Sequence, residues 1–142
     1  MTKIFWDTNL FIYLFEDNPH FVDKVRSLRS AMIARGDLLL TGSITVGEIL
    51  VKPLEKGDAR VVDLYRRFFN NPLAVGVVPL DLVAAEHYAA IRKDRTISHA
   101  DAIQLACAAA AGADLFVTND NRLRGKLVPG IKFLTSLEAA PF

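Results

Sequence analysis

The sequence predicts a single α/β domain, a short and mainly parallel sheet flanked by helices on both faces. Three observations carry this. Short apolar runs alternate with helix-patterned segments along the whole chain. Several of those runs are solidly apolar rather than alternating, as strands covered on both faces must be. No linker, low-complexity stretch or internal repeat divides the 142 residues, so residues 1–142 are expected to share one core.

The elements follow in order. Lys3-Ile4-Phe5-Trp6 is a β-prone run that stops at Asp7-Thr8-Asn9, whose side chains suit a helix start before Leu10 to Phe15. Asn18-Pro19 opens a second helix, with Phe21, Val25, Leu28 and Met32 at helical spacing, and Arg35-Gly36 closes it. Leu38 to Gly42 is the next strand. A helix from Ser43 to Thr45 onward carries Val46, Ile49 and Leu50 and is expected to end at Pro53. Gly57-Asp58 opens a helix with Val61, Tyr65, Phe68 and Phe69, stopped by Asn70-Asn71-Pro72. Val75 to Leu80 is a third strand, and Asp81 caps a helix holding Ala84, Tyr88 and Ile91. After a basic link, Ser98 caps the helix that contains Asp101, and the strand Leu115 to Val117 follows. A turn or short helix covers Asn119 to Arg124, and Ile131 to Leu134 is a last strand, with Ser136 capping a final turn.

The totals exclude several classes. Seventeen basic residues against sixteen acidic ones leave a net charge of +1, so charge alone makes no case for nucleic acid. Cys107 stands alone, which rules out an internal disulfide or a thiolate zinc cluster and points to a reduced, cytoplasmic setting. The apolar runs are too short to span a bilayer, and Met1-Thr2-Lys3 does not begin a signal peptide, so no membrane association is expected.

Sites in doubly wound sheets form outside the carboxyl ends of the strands. Asp7 follows the first strand, Asp120 follows the fourth, and Glu48 lies in the first turn after the second. Asp101 opens the helix before the fourth strand, and the end of the sheet it occupies is not fixed by the sequence. Four converging carboxylates repel one another unless a hard, oxygen-preferring cation such as Mg²⁺ or Mn²⁺ joins them. Each acid also has a plain structural role. Thr45-x-x-Glu48 and Ser98-x-x-Asp101 fit capping boxes, while Asp7, Asn119 and Asp120 fit caps. Topology alone leaves both readings standing, and they are compatible.

The four segments Asp7-Thr8-Asn9, Thr45-Val46-Gly47-Glu48-Ile49, Asp101-Ala102-Ile103-Gln104-Leu105-Ala106 and Leu115-Phe116-Val117-Thr118-Asn119-Asp120, in this order, resemble the PIN-domain ribonucleases. The resemblance is strongest to the small single-domain VapC-type toxins of toxin–antitoxin pairs. It implies one PIN-like domain over residues 1–142 and a Mg²⁺- or Mn²⁺-dependent endoribonuclease that leaves a 3′-hydroxyl and a 5′-phosphate. It also implies an RNA substrate and a cognate antitoxin protein. Carried over by position, Asp7 and Asp101 are the direct metal ligands. Glu48 and Asp120 complete the catalytic quartet through water or a second ion. Thr8, Asn9, Thr118 and Asn119 are the supporting polar residues.

The basic groups nearest this quartet in sequence, Arg92, Lys93 and Arg95, and Arg122 and Arg124, are the candidates for RNA phosphate contacts. His99, His20 and His87 are expected at the surface, and Cys107 and Trp6 in the core. Phe11 to Phe15 and Val61 to Phe69 hold more apolar surface than one buried face needs, which suggests a homodimer or antitoxin contact. Two rivals remain on the sequence. A haloacid-dehalogenase-like phosphohydrolase also starts with a strand ending in Asp, but needs a second Asp where this chain has Asn9. A non-catalytic binding module would use the four acids only as helix caps.

Overall fold

In a computed structural model, which describes residues 2–140, the chain forms one five-stranded parallel sheet in the order β3-β2-β1-β4-β5. The strands are β1 (Lys3–Trp6), β2 (Leu38–Gly42), β3 (Gly76–Val78), β4 (Leu115–Thr118) and β5 (Leu134–Ser136). The helices are α1 (Thr8–Phe15), α2 (Val22–Arg35), α3 (Ser43–Glu55), α4 (Ala59–Phe69), α5 (Leu82–Ile91) and α6 (His99–Ala110), with a 3-10 turn at Asn121–Leu123. No helix among the described residues is long and apolar enough to cross a membrane.

The first strand is central, and its pleat divides the core. Ile4 and Trp6 point into one layer with Leu10, Phe11, Val25, Leu28 and Met32. Phe5 points into the other, stacked on Phe116 at 5.3 Å and packed with Leu105, Ala106 and Ile91. Helices therefore cover both faces, and the solid apolar composition of the central strands is explained. The expected aromatic surplus is largely absorbed within the chain. Phe11 meets Phe69 at 5.4 Å, and Phe15 meets Tyr65 and Phe68, each at 5.1 Å, so α1 and α4 cover one another.

Five element boundaries differ from the sequence reading, the first being the start of α2 at Val22, past the turn at Pro19. Pro53 does not end α3; it lies buried in the last turn, and its carbonyl accepts the Asp58 N–H at 2.9 Å while Gly57, at φ 66°, completes the closure. Proline near a helix end removes one hydrogen bond without blocking the turn that follows. Strand β3 is shorter than Val75 to Leu80, because Pro79 lacks the N–H needed to extend the ladder. The last strand lies at Leu134–Ser136 rather than Ile131 to Leu134, in register with Phe116, Val117 and Thr118. Finally, Gly42 rather than a residue of Ser43 to Thr45 stands at the N-cap of α3, so Thr45 and Glu48 do not form a capping box. The helix starts directly from the strand end, which leaves Thr45 in its first turn with a buried side chain.

Candidate active site

The sheet order reverses between β1 and β4, and the chain's acidic residues gather in the crevice at that point. An open cleft of about 340 Å³ is lined by Asp7, Thr8, Asn9, Glu48, Asp101, Gln104, Asp120 and Arg122. The uncertain position of Asp101 is thus resolved. Helix α6 runs antiparallel to the strands, so its first turn reaches their carboxyl edge.

Local structure holds each acid. Asp7 follows β1, with its backbone N–H on the Val117 carbonyl at 3.0 Å, and its Oδ1 accepts the Thr8 N–H at 2.8 Å. Its Oδ2 accepts the Thr118 hydroxyl at 2.7 Å, across from β4. Ser98 caps α6 by accepting the Asp101 N–H at 3.2 Å. Asp120 accepts the Arg122 N–H at 2.9 Å, and the Thr118 hydroxyl oxygen accepts the Asp120 N–H at 3.0 Å. Three of the four acids, Asp7, Asp101 and Asp120, therefore sit in capping geometry and face the cleft together. Glu48, at the exposed rim, is instead held by the Thr8 hydroxyl at 2.9 Å.

The electrostatics are those of crowded carboxylates. Burial pushes Asp7 above the usual carboxylate range, against the hydrogen bonds from Thr118, Thr8 and Gln104 that favour its charged form. Burial, then the charge of Asp7, lifts Asp101 to about 6. Arg122 has the opposite effect on Asp120, holding it below the ordinary value by hydrogen bonding. Its guanidinium lies 2.8 Å from Asp120 Oδ2 and 3.8 Å from Asp101 Oδ2, so a cation already bridges two of the four acids.

The supporting residues divide. Thr8 and Thr118 bind the acids as described, and Asn9 lines the cleft with its Oδ1 buried and without a hydrogen-bond partner. Asn119 turns away, donating to the Tyr13 hydroxyl at 3.1 Å. Of the basic candidates, Arg122 lines the cleft and Arg124 the adjoining depression beside Asn119 and Asp120. Arg92, Lys93 and Arg95 line neither. Arg92 instead contacts the Ile97 carbonyl and the ring of His99, which is exposed and bonded to the Tyr88 hydroxyl. His20 is exposed, His87 is half-buried, and Trp6 and Cys107 are fully buried. One lining residue was missed by sequence reasoning: Gln104, one turn beyond Asp101 on the same helix face.

Residues 4–126 match the sequence family described as the PIN domain. The chain belongs to the PIN-domain family. The rival phosphohydrolase fold is thereby set aside. Three solved structures share the fold of this PIN domain over nearly its full length. VapBC2 from Rickettsia felis, bound to a DNA fragment from its promoter, aligns with a TM-score of 0.74 and 16% identity, covering 95% of this chain and 98% of that one. DNA-bound VapBC from Salmonella typhimurium gives 0.70 and 22%, covering 96% and 99%. A toxin–antitoxin complex from Klebsiella pneumoniae gives 0.66 and 18%, covering 94% and 97%. At these identities the likeness is one of fold. No curated protein matches the sequence.

The donor set suits a hard divalent ion. It consists of carboxylate and amide oxygens, with Asn9 Oδ1 an acceptor lacking a partner and Asp7 close enough to Asp101 to push it upward. Among the described residues, no group of three or more His, Cys, Asp or Glu side chains stands close enough together to hold a metal ion.

Proposed function

We propose that this PIN domain is a Mg²⁺- or Mn²⁺-dependent endoribonuclease and acts as the toxin of a toxin–antitoxin pair. The observation that supports this best is the convergence of Asp7, Glu48, Asp101 and Asp120, from four distant stretches of chain, on one cleft at the switch point of the sheet. Family membership gives the reaction class, phosphodiester hydrolysis.

In this reading Asp7 and Asp101 hold the ion, and Glu48 and Asp120 reach it through water or a second ion. When bound, the ion supplies Lewis-acid activation of water and of the phosphoryl group. Thr118 and Thr8 keep Asp7 aimed into the cleft. Glu48 accepts the Thr8 hydroxyl through Oε1, which leaves Oε2 to take a proton from the attacking water. Arg122 and Arg124 meet the RNA phosphates flanking the cut. No His or Cys nucleophile is needed.

One of the named structures of similar fold is a toxin–antitoxin complex, and this chain offers a surface suited to such a partner. A groove of about 460 Å³ between α1, α3 and α4, with Ile12, Phe15, Val51 and Tyr65 on its apolar walls and Glu16, Lys52, Lys56 and Asp58 among them, opens beside Glu48. We place the antitoxin contact there.

The test is cleavage of total RNA by the purified chain in Mn²⁺, with cut ends mapped. Activity is expected to vanish in EDTA and in Asp101→Asn, leaving 5′-phosphate ends in the wild type. Cleavage undiminished by either change would sink the metal mechanism. Growth arrest by the wild type but not by Asp101→Asn tests the toxin role separately.

A further inference from the structure

Six polar or charged side chains are buried among the described residues: Asp7, Thr8, Thr41, Thr45, Gln104 and Thr118. They form one connected network. Thr118 donates to Asp7 Oδ2 at 2.7 Å. Gln104 Nε2 faces Asp7 Oδ1 at 3.4 Å, Thr8 Oγ1 at 3.0 Å and Thr45 Oγ1 at 2.6 Å. Thr45 Oγ1 lies 2.9 Å from the hydroxyls of both Thr8 and Thr41, and Thr41 donates to the Trp6 carbonyl at 2.9 Å. Thr8 leads out to Glu48. Gln104 is the node that joins α6 to the ends of β1, β2 and α3.

Two facts separate this glutamine from a filler of space. First, the amide's orientation is dictated: Asp7, as a carboxylate, can only accept, so the NH₂ must face it. The opposite end, Oε1, is left buried with no partner. An apolar side chain of equal length would avoid that loss. Second, Gly42 makes room for the same atom. A Cβ at Gly42 would lie 2.3 Å from Gln104 Oε1, whereas Gly42 has φ −87° and ψ 154°, which any residue adopts. The amide, not the backbone, calls for glycine there.

We propose that Gln104 is a positioning residue for the metal site: it fixes Asp7 Oδ1 and, through the Thr8 hydroxyl, sets Glu48 relative to it. The inference rests on the metal-dependent reading above. It assigns no contact between Gln104 and RNA or ion. Its consequence is that the acid after β1 and the acid on α3 are placed as one unit by a helix that carries a third.

Mn²⁺ titration calorimetry on the full chain tests it, with the melting temperature of each metal-free variant measured alongside. Wild type, Gln104→Leu, Gly42→Ala and the double variant are compared. Gln104→Leu is expected to weaken Mn²⁺ binding at least ~10-fold, the range seen when outer partners of metal ligands are removed. Gly42→Ala, which displaces the amide without altering a cleft residue, should weaken it in the same direction, and the double variant should bind no more weakly than Gln104→Leu. A residue that only fills space would move the melting temperature and leave the affinity unchanged. Affinity within twofold of wild type in a folded Gln104→Leu, or losses that multiply in the double variant, overturns the proposal. Should Gln104→Leu fail to fold, unchanged affinity in Gly42→Ala overturns it instead. Absence of saturable Mn²⁺ binding by the wild type is a different failure, because it removes the metal reading itself.

Discussion

The Thr118 hydroxyl, at the end of β4, donates to Asp7 Oδ2 at 2.7 Å, at the end of β1. Both residues are buried, so this bond stands where water cannot replace it. Thr118→Val keeps the shape and removes the donor. A hydrogen bond to a buried charged group is worth about 1.5–3 kcal/mol, so a drop of roughly 5–12 °C in melting temperature is expected. Thermal denaturation at neutral pH checks it, and an unchanged Tm would show that Asp7 is satisfied without Thr118.

Metal-free protein should be less stable at neutral pH than at mildly acidic pH. Asp7 and Asp101 both titrate above their ordinary value when folded, Asp101 at about 6. The native state therefore holds protons that the unfolded chain has already released. Stability from Asp101 is full below the ordinary carboxylate value of 3.8 and falls as pH rises to about 6, and Asp7 acts in the same direction. Asp120, depressed by Arg122, acts in the other direction, and its contribution is lost only on acidification below the ordinary value. Melting curves in EDTA from pH 4 to 7 should show the decline, and Asp101→Asn should flatten it.

Divalent cations should reverse that loss. An ion that binds only the native state at a hundred times its Kd adds about 2.7 kcal/mol. Mn²⁺ is expected to raise the melting temperature of the wild type at pH 7.5 by several degrees, and EDTA to cancel the gain. Asp7→Asn and Asp101→Asn should each lose the response. An equal shift in both variants would place the ion elsewhere.

Arg122 stands between Asp120 and Asp101 as the chain's own counter-charge. Arg122→Ala should tighten Mn²⁺ binding by up to about fivefold, the scale of an exposed ion pair. The same change should weaken RNA binding and lower its salt dependence by about one phosphate contact. Filter binding with Asp101→Asn as the inactive background measures the second effect. Tightening of both would remove Arg122 from the RNA contact.

Ser98 gives a control on the scaffold. Its side chain caps α6 by accepting the N–H of Asp101. Ser98→Ala is expected to cost about 1 kcal/mol, a fall of roughly 3–4 °C in Tm. A variant that melts as wild type would mean that other contacts fix the first turn.

The architecture was legible because its signals are local. Asp7-Thr8-Asn9 after a solid apolar run, and Ser98 before Asp101, mark strand ends and helix starts without knowledge of neighbours. The end of the sheet occupied by Asp101 was also within reach, since a helix between parallel strands must begin at their carboxyl edge. Gln104 was obscured for a physical reason. It lies among Ile103, Leu105 and Ala106, where periodicity shows a buried face but not which buried atoms are polar partners. Its one cue was its place three residues after Asp101. Both Arg122 and Asn119 were named from the sequence, but the pairing of the first and the turn of the second were hidden, because side chains beside a site choose between it and neighbours such as Asp120 and Tyr13 by geometry alone. The misplaced final strand has a similar origin. Edge pairing depends on the register offered by β4, not on the apolar content of Ile131 to Leu134.

The central position of β1 also orders events in time. Thr118, which holds Asp7, leaves the ribosome 111 residues after it. A chain still in synthesis displays Asp7 and Glu48 long before Asp101 and Asp120 exist to face them. The cleft closes only when β4 slides in beside β1, the most distant pairing of that central strand. Copies that stop short of β4 consequently carry an incomplete quartet, and the four acids can face one another only after that strand has been made.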